Sequence, residues 1–466
     1  MSAADRPLPR RILPLAWDAW RAKRRGSGAI VARQQARLTA LVAHARRHSH
    51  FYAERYRHLS GEGVSLCQLP PVTKRELMAR FDDWVTDPAV TRAGVEAFAA
   101  DPSRIGQLYL GRYVIWHSSG STGLPAFFVQ DEGAMAVYEA LDLARTVPAW
   151  LSWGDVLPLL RGGLRGAGLL ALGGHYAGIG LMTHRWRNRP RRRRNARLLS
   201  VLAPVAEMVR ELNAWQPAIV GGYASVLALL ADQQESGKLS IRPRLVFSSS
   251  EPLFAGDRAR IERAFGCRVR ENYGCSEAIA LSAECTYGWH HVNADWMIVE
   301  PVDEALRPVP PGNLSHSALV TNLANPVQPI IRYDLGDQVR VKPEPCPCGS
   351  PLPALHVEGR TDENLAFRAP DGTSMSVSAM ALTTVTYETP GVRRYQLVQT
   401  GPERLAVRFE INPGDEDAVW TGLQVRLRAY LSEQGLPAIT VDRAVEKPAP
   451  IPGSGKMRQV WSEVGR

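Results

Sequence analysis

Cysteine, long apolar runs and, in one particular stretch, acidic residues are what this sequence has least of. Six cysteines among 466 residues are too few for a disulfide scaffold. The thiols are therefore expected reduced, as packing residues or metal ligands, and the chain is expected in the cytoplasm. A membrane-crossing helix needs about 20 consecutive apolar residues. The best run, Leu164 to Leu172, is broken by Arg165 and by glycines, which excludes a membrane span. The N-terminal stretch Ile12 to Trp17 is interrupted by Pro14, and no small-residue cleavage site follows it, so a signal peptide is not expected. Internal repeats are absent.

Acids are missing between Arg185 and Arg197, where eight arginines stand. The formal net charge is +10, so this one segment supplies +8 and leaves about +2 for the rest. A nucleic-acid binder, an acidic carrier protein, the phosphates of CoA, or simply a solvated loop would all account for such a block. No recognisable nucleic-acid-binding fold surrounds it, and nucleic acid is not the expected partner. With 45% hydrophobic and 22% charged residues the composition is that of an ordinary globular protein, and the length suits about two or three domains.

Hydrophobic periodicity predicts a helix over 30–57, and Thr73 with Glu76 three residues on predicts a capped helix start. A strand, loop, strand pattern spans 108–129. From 132 to 273 helices alternate with buried strands at 217–220, 245–248 and 269–273, which predicts an α/β layered domain. Short strands between Gly/Pro turns follow after 285, a β-rich subdomain. The last hundred residues read as a small α+β unit.

Five segments could carry chemistry. Ser118-Ser119-Gly120-Ser121-Thr122-Gly123-Leu124-Pro125 offers hydroxyls and flexible backbone N–H groups that could cradle a phosphate chain, without the Gly-Lys-Ser/Thr of a Walker loop. Tyr273-Gly274-Cys275-Ser276-Glu277 follows a strand, where a carboxylate could hold Mg²⁺. Asp337, after the turn at Gly336, could accept bonds from ribose hydroxyls. Arg360 and Asp362 stand in what reads as a linker, and Lys456 lies between glycines and Met457 near the C-terminus. Taken singly, each is also an ordinary turn.

In order along the chain, these five segments together resemble the adenylate-forming superfamily of acyl-CoA synthetases. Pro71-Val72-Thr73-Lys74, Ser250-Glu251-Pro252, Gly288-Trp289-His290 and Cys346-Pro347-Cys348-Gly349 resemble its phenylacetate-CoA ligase branch. The resemblance spans roughly residues 30 to 460. It implies a large multi-layer N-terminal α/β domain with a β-rich subdomain over 1–360, and a small mobile C-terminal α+β domain over 361–466 that carries the lysine and turns about Asp362. It implies ATP, Mg²⁺ and CoA, with a carboxylic acid activated as acyl-AMP. Ser118, Ser119, Gly120, Ser121, Thr122 and Gly123 would hold the phosphates, Glu277 the Mg²⁺, Tyr273 and Gly274 the adenine side, Asp337 the ribose and Arg360 the nucleotide near the hinge. Glu251 is grouped with these nucleotide-binding residues, and Lys456 would be the adenylation lysine. An aryl or arylacetyl acid is the expected substrate. The acceptor is CoA or, alternatively, the phosphopantetheine of an acyl carrier protein; a homodimer is among the assemblies the sequence admits. A non-catalytic nucleotide binder is the alternative from another class. Ala126-Phe127, Ser250 and Leu335 depart from the branch's usual residues, which bears on the acyl pocket.

Cys285, His290 or the neighbouring His291, Cys346 and Cys348 form a thiolate and imidazole set suited to structural Zn²⁺, with free buried thiols as the alternative. Cys67, Cys267 and Cys275 are expected to be packing residues. Trp116, Trp150, Trp153 and Trp186 could line an aromatic pocket or pack in the core.

Overall fold

The computed structural model describes residues 8–59, 65–118, 126–161, 163–187, 189, 193–361 and 364–464. Strands Val114–His117 (β1) and Phe127–Gln130 (β2) pair antiparallel, His117 opposite Phe127. Trp116 and Phe128 are fully buried in a core shared with Phe81 and Trp84, and Phe127 packs against it partly buried. Ahead of them, the Lys74–Ala79 helix starts where its sequence says it should: the Thr73 hydroxyl accepts from the Glu76 amide, and Glu76 accepts from the Thr73 amide at 2.8 Å.

Gly166–Leu170 (β3), Ala196–Ser200 (β4), Ile219–Gly222 (β5), Leu245–Ser249 (β6) and Val269–Asn272 (β7) form a parallel sheet in the order β4-β3-β5-β6-β7. Parallel neighbours need crossover connections, and the helices Ala177–Arg187, Val205–Trp215, Ala224–Glu235 and Ala255–Phe265 supply them. Gly221 on β5 must lack a side chain, since a Cβ there would lie 2.1 Å from the Phe247 ring of β6.

Ser282–Glu284 (β8), His290–Val292 (β9), Met297–Val302 (β10), Ser317–Asn322 (β11), Ile330–Asp334 (β12), Asp337–Val341 (β13) and Ala354–Arg360 (β14) make the β-rich part. They form two sheets, ordered β10-β11-β12 and β13-β14-β9-β8. Leu365–Arg368 (β15) and Ser374–Val377 (β16) form a hairpin. Val392–Gly401 (β17), Arg404–Ile411 (β18), Thr440–Arg443 (β19) and Val460–Ser462 (β20) form a last sheet, β19-β18-β17-β20. The helices Ala379–Tyr387 and Glu416–Glu433 accompany it, and Phe367, Leu397, Val407, Leu427 and Val441 share a core of their own. The fold is thus mixed α/β with several sheets, as expected. No helix among the described residues is long and apolar enough to cross a membrane.

Several details depart from the sequence reading. Gly359 and Arg360 end strand β14 instead of lying in a linker; the backbone there pairs with β13, Asp337 opposite Arg360. Leu8–Arg25 is a helix with Pro14 inside it, and Ile12 and Ala16 pack on Ala136 and Ala140. Arg145 pins it, donating to the Ala19 carbonyl at 3.0 Å while pairing with Asp295 at 2.6 Å, both side chains buried. Cys67 does not pack: it is exposed beside the Ser65 hydroxyl. Trp116 is a core residue.

Candidate active site

The turns that follow β6 and β7 stand side by side at the carboxyl edge of the parallel sheet, where ligands bind in open α/β folds. The first carries Glu251, preceded by Ser250 at φ +70°, a left-handed conformation uncommon outside glycine. Oε2 of Glu251 accepts from the Ser225 amide at 3.0 Å and Oε1 from the Met457 amide at 2.7 Å. The sequence reading grouped Glu251 with nucleotide-binding residues; its observed partners are backbone groups of a helix start and of the lysine-bearing turn.

That turn is built on glycines. Gly453 (φ +81°) and Gly455 (φ +67°) take left-handed conformations, and a Cβ on Gly455 would come 2.4 Å from Val201, just past β4. The Ile451 amide donates to the Lys456 carbonyl at 2.8 Å and its carbonyl accepts from the Gly455 amide at 3.0 Å, closing the turn. Lys456 is half-buried. Burial pushes its ammonium below the ordinary lysine range; the carboxylates of Glu251 and Glu277 oppose this, and Arg360 adds to it. Burial pushes Glu251 up, against the two amides it accepts from and the Lys456 charge.

The turn after β7 is fixed from several sides. A Cβ on Gly274 would lie 2.4 Å from the Ile279 carbonyl oxygen, so only glycine lets the chain fold back here. Trp116 donates its indole N–H to the Ser276 carbonyl and Asn322 donates to the Glu277 carbonyl, each at 2.9 Å. Glu277 is held nearly buried, its carboxylate bonded by the Tyr333 hydroxyl. Tyr333 stands on β12, four residues ahead of Asp337, and the sequence reading gave it no role.

Tyr273, Asp337 and Arg360 form a chain of contacts. The Tyr273 hydroxyl donates to Oδ2 of Asp337 and Arg360 donates to Oδ1, both at 2.8 Å. Burial and the Asp337 charge hold the Tyr273 phenol well above its usual range, so it stays a donor. Both carboxylate oxygens of Asp337 thus have protein partners. Ser118 closes the neck of the loop between β1 and β2, its hydroxyl accepting from the Ala126 amide at 3.0 Å and its amide donating to the Ala126 carbonyl at 2.8 Å. Ser119, Gly120, Ser121, Thr122 and Gly123 lie outside the described residues, as does Asp362.

A second cluster lies at the far end of the β13/β14 hairpin. The ligand atoms of Cys285, His291, Cys346 and Cys348 all lie within 4.8 Å of one another. The imidazole in this cluster is His291, not His290. Adjacent strand residues point to opposite faces, and His290 turns instead toward Glu271 (3.8 Å) and sets its ring edge-on to Tyr273, centroids 6.0 Å apart.

Four of the eight arginines of the basic block have partners within the molecule. Arg185 pairs with Asp142 and Arg189 with Glu139, Arg187 donates to the Gly106 carbonyl, and Arg197 lies over the Trp215 ring at 4.0 Å. Arg193 and Arg194 are exposed; Arg191 and Arg192 lie outside the described residues.

No family model matches the chain. It is 24% identical over 326 residues to the protein CapK of Staphylococcus aureus, a match covering 67% of this chain and 63% of that protein's length, just under two thirds of it. Among solved structures it is similar to 2-hydroxyisobutyryl-CoA ligase in the postadenylation state with 2-HIB-AMP: TM-score 0.66, 21% identity, 94% of this chain and 89% of the other. Against the same ligase with 2-HIB-AMP and CoA in the thioesterification state the TM-score is 0.55, at 21% identity over 93% and 90%. A benzoate-CoA ligase from Burkholderia xenovorans aligns at TM-score 0.50 and 16% identity, over 72% of this chain and 66% of that one. At these identities the likeness is one of architecture, and this chain shares the fold of these CoA ligases.

Proposed function

We propose that this chain is an ATP-dependent acid–thiol ligase that converts a carboxylic acid to its acyl-adenylate and then to a thioester of CoA. The observation that carries this reading is the convergence of Lys456 with Glu251 and Glu277 at the mouth of the parallel sheet, with Arg360 and its partner Asp337 alongside. A half-buried ammonium flanked by carboxylates suits a site where a substrate brings several negative charges of its own.

In the first half-reaction a carboxylate oxygen attacks the α-phosphorus of ATP, and the bond to the bridging oxygen of pyrophosphate breaks. Negative charge grows on both the entering and leaving sides. A positioned ammonium aimed at that charge acts more strongly here than in water, since it needs no reorganisation. Lys456 supplies it, held by the grip of Glu251 on the neighbouring amide. Glu277, nearly buried and bonded by Tyr333, is a suitable oxygen ligand for Mg²⁺, which when bound would neutralise phosphate charge. Asp337 is poised to exchange a protein donor for the ribose hydroxyls, and Tyr273 to face the adenine. The loop at 118–123 would wrap the phosphates.

For the second half-reaction, residues 361–466 turn about the segment near Asp362 and carry Lys456 away, opening a path for the thiol. The placement of Lys456 beside Glu251 and Glu277 suits the arrangement needed for the first half-reaction. We favour CoA over a carrier protein as acceptor, since Arg185 and Arg189 of the basic block are paired with Asp142 and Glu139. An aryl or arylacetyl acid is the substrate class we propose, and the cytoplasm its location. The test is a pyrophosphate-release screen with ATP, Mg²⁺ and a panel of aromatic, arylacetic and short aliphatic or hydroxy acids, followed by CoA. Release that depends on both the acid and Lys456 is expected; no acid-dependent release across the panel would refute the assignment.

A further inference from the structure

We propose that Cys285, His291, Cys346 and Cys348 bind one structural Zn²⁺ ion, a centre separate from the site around Lys456. Four ligands at about 2.3 Å from a tetrahedral zinc lie roughly 3.8 Å apart. The sulfurs of Cys285 and Cys346 are 3.8 Å apart, and Cys348 Sγ lies 3.1 Å from His291 Nε2. A disulfide would require about 2.05 Å, so these thiols are close without being bonded.

The surroundings are those of ligands already oriented. Nδ1 of His291 sits 2.9 Å from the Leu352 carbonyl, which fixes the tautomer with the proton there and leaves the Nε2 lone pair facing the cysteines. The Tyr287 amide donates to Cys285 Sγ at 3.4 Å, a contact that orients this sulfur. The Cys346 carbonyl accepts from Gly349 at 3.0 Å with Gly349 at φ +74°, a tight turn that aims Cys346 and Cys348 at one point. Cys285 and Cys346 are buried. Three soft sulfurs and one imidazole, with no carboxylate in the group, select zinc over Mg²⁺ or Ca²⁺. All four positions being protein ligands, no place is left for a reacting water, so the role is structural.

The cluster also sits in a long connection between strands. Between Val341 and Ala354 the chain runs from β13 to β14 without a regular element, and Cys346 and Cys348 sit in the middle of it. The ion would tie this connection to the end of β8 through Cys285 and to β9 through His291. Closing such a loop by metal contributes directly to folding free energy.

The experiment is metal analysis of the full-length protein purified from zinc-replete medium, which should give about one zinc per chain. Replacing zinc by Co²⁺ should produce the visible d–d bands and near-ultraviolet thiolate charge-transfer of a tetrahedral thiolate site. Cys348→Ser and His291→Ala should lose the metal, whereas His290→Ala should keep it. If the ligand variants do not fold, titrating the intact protein with a mercurial reagent should release one zinc as three thiols react. Absence of stoichiometric zinc, or loss of zinc from His290→Ala with retention in His291→Ala, would overturn the proposal, and stoichiometric iron in its place would overturn the metal. None of these measurements uses ATP, so their outcome and that of the pyrophosphate screen are independent.

Discussion

The backbone amide of Met457 donates to Oε1 of Glu251 across 2.7 Å, joining residues separated by 206 positions in the chain. The other oxygen of the same carboxylate holds the Ser225 amide at 3.0 Å. One side chain thus latches the lysine-bearing turn onto the parallel sheet. Glu251→Ala should lower the rate of acid-dependent pyrophosphate release by about tenfold to a hundredfold, in line with losing a positioned charged hydrogen bond. Transfer from preformed acyl-adenylate to CoA should change much less. Single-turnover measurement of the two steps separates these outcomes.

Lys456→Ala should cost on the order of 3 kcal/mol in the adenylation barrier, or about a hundredfold in rate. The pH profile adds a sign. Burial lowers the folded-state pKa of Lys456 from 10.5, and only the protonated form can neutralise phosphate charge. Pyrophosphate release should therefore fall on the alkaline side at a pH below 10.5, and Lys456→Arg should move that limb upward. A limb unmoved by the arginine variant would assign it to another group.

Asp337→Asn removes a charge that Arg360 and Tyr273 both contact at 2.8 Å. AMP affinity, measured by calorimetry, should weaken by about tenfold or more, the scale of a charge-assisted hydrogen bond. Tyr273→Phe keeps the ring and deletes the donor, so it should weaken AMP binding less than Tyr273→Ala.

His184 is buried, with neither ring nitrogen hydrogen-bonded, and burial followed by the Arg187 charge lowers its pKa to about 4. The unfolded chain protonates this imidazole near 6.5 while the folded one resists until about 4. The unfolded state then binds more protons in that interval, so stability is full above pH 6.5 and is lost as pH falls toward 4. The loss should amount to about 2–3 kcal/mol, and urea melts of His184→Leu should show a shallower acid slope than the parent.

Arg145→Ala should destabilise the fold by about 3–5 kcal/mol, because it strands the fully buried Asp295. Arg37, 3.3 Å from the same carboxylate, offsets part of this. Denaturant titration checks the figure, and Arg145→Ala combined with Asp295→Ala should cost less than the first change alone.

The segments with chemistry were legible because their residues are unusual as well as useful: Gly274 and Gly455 stand where a Cβ would collide, and the acids beside them recur after strands. The alternation from 217 to 273 was legible for the same reason that a buried parallel strand reads as a short apolar run. Less legible were β3 and β4. The first is glycine-rich and the second follows the arginine block, so neither shows a clean apolar run. The helix Leu8–Arg25 was hidden by Pro14, and Arg145, which bonds its Ala19 carbonyl, lies 126 positions away. The choice between His290 and His291 could not be read from spacing, since adjacent residues differ by a face and not by a distance along the chain.

Glu251 and Glu277 both hang from the ends of neighbouring strands, β6 and β7, with Ser249 opposite Asn272 in the last rung. The two turns therefore leave the sheet from adjacent strands, about 4.8 Å apart across it, and a change of side chain in the flanking helices leaves that backbone spacing unaltered.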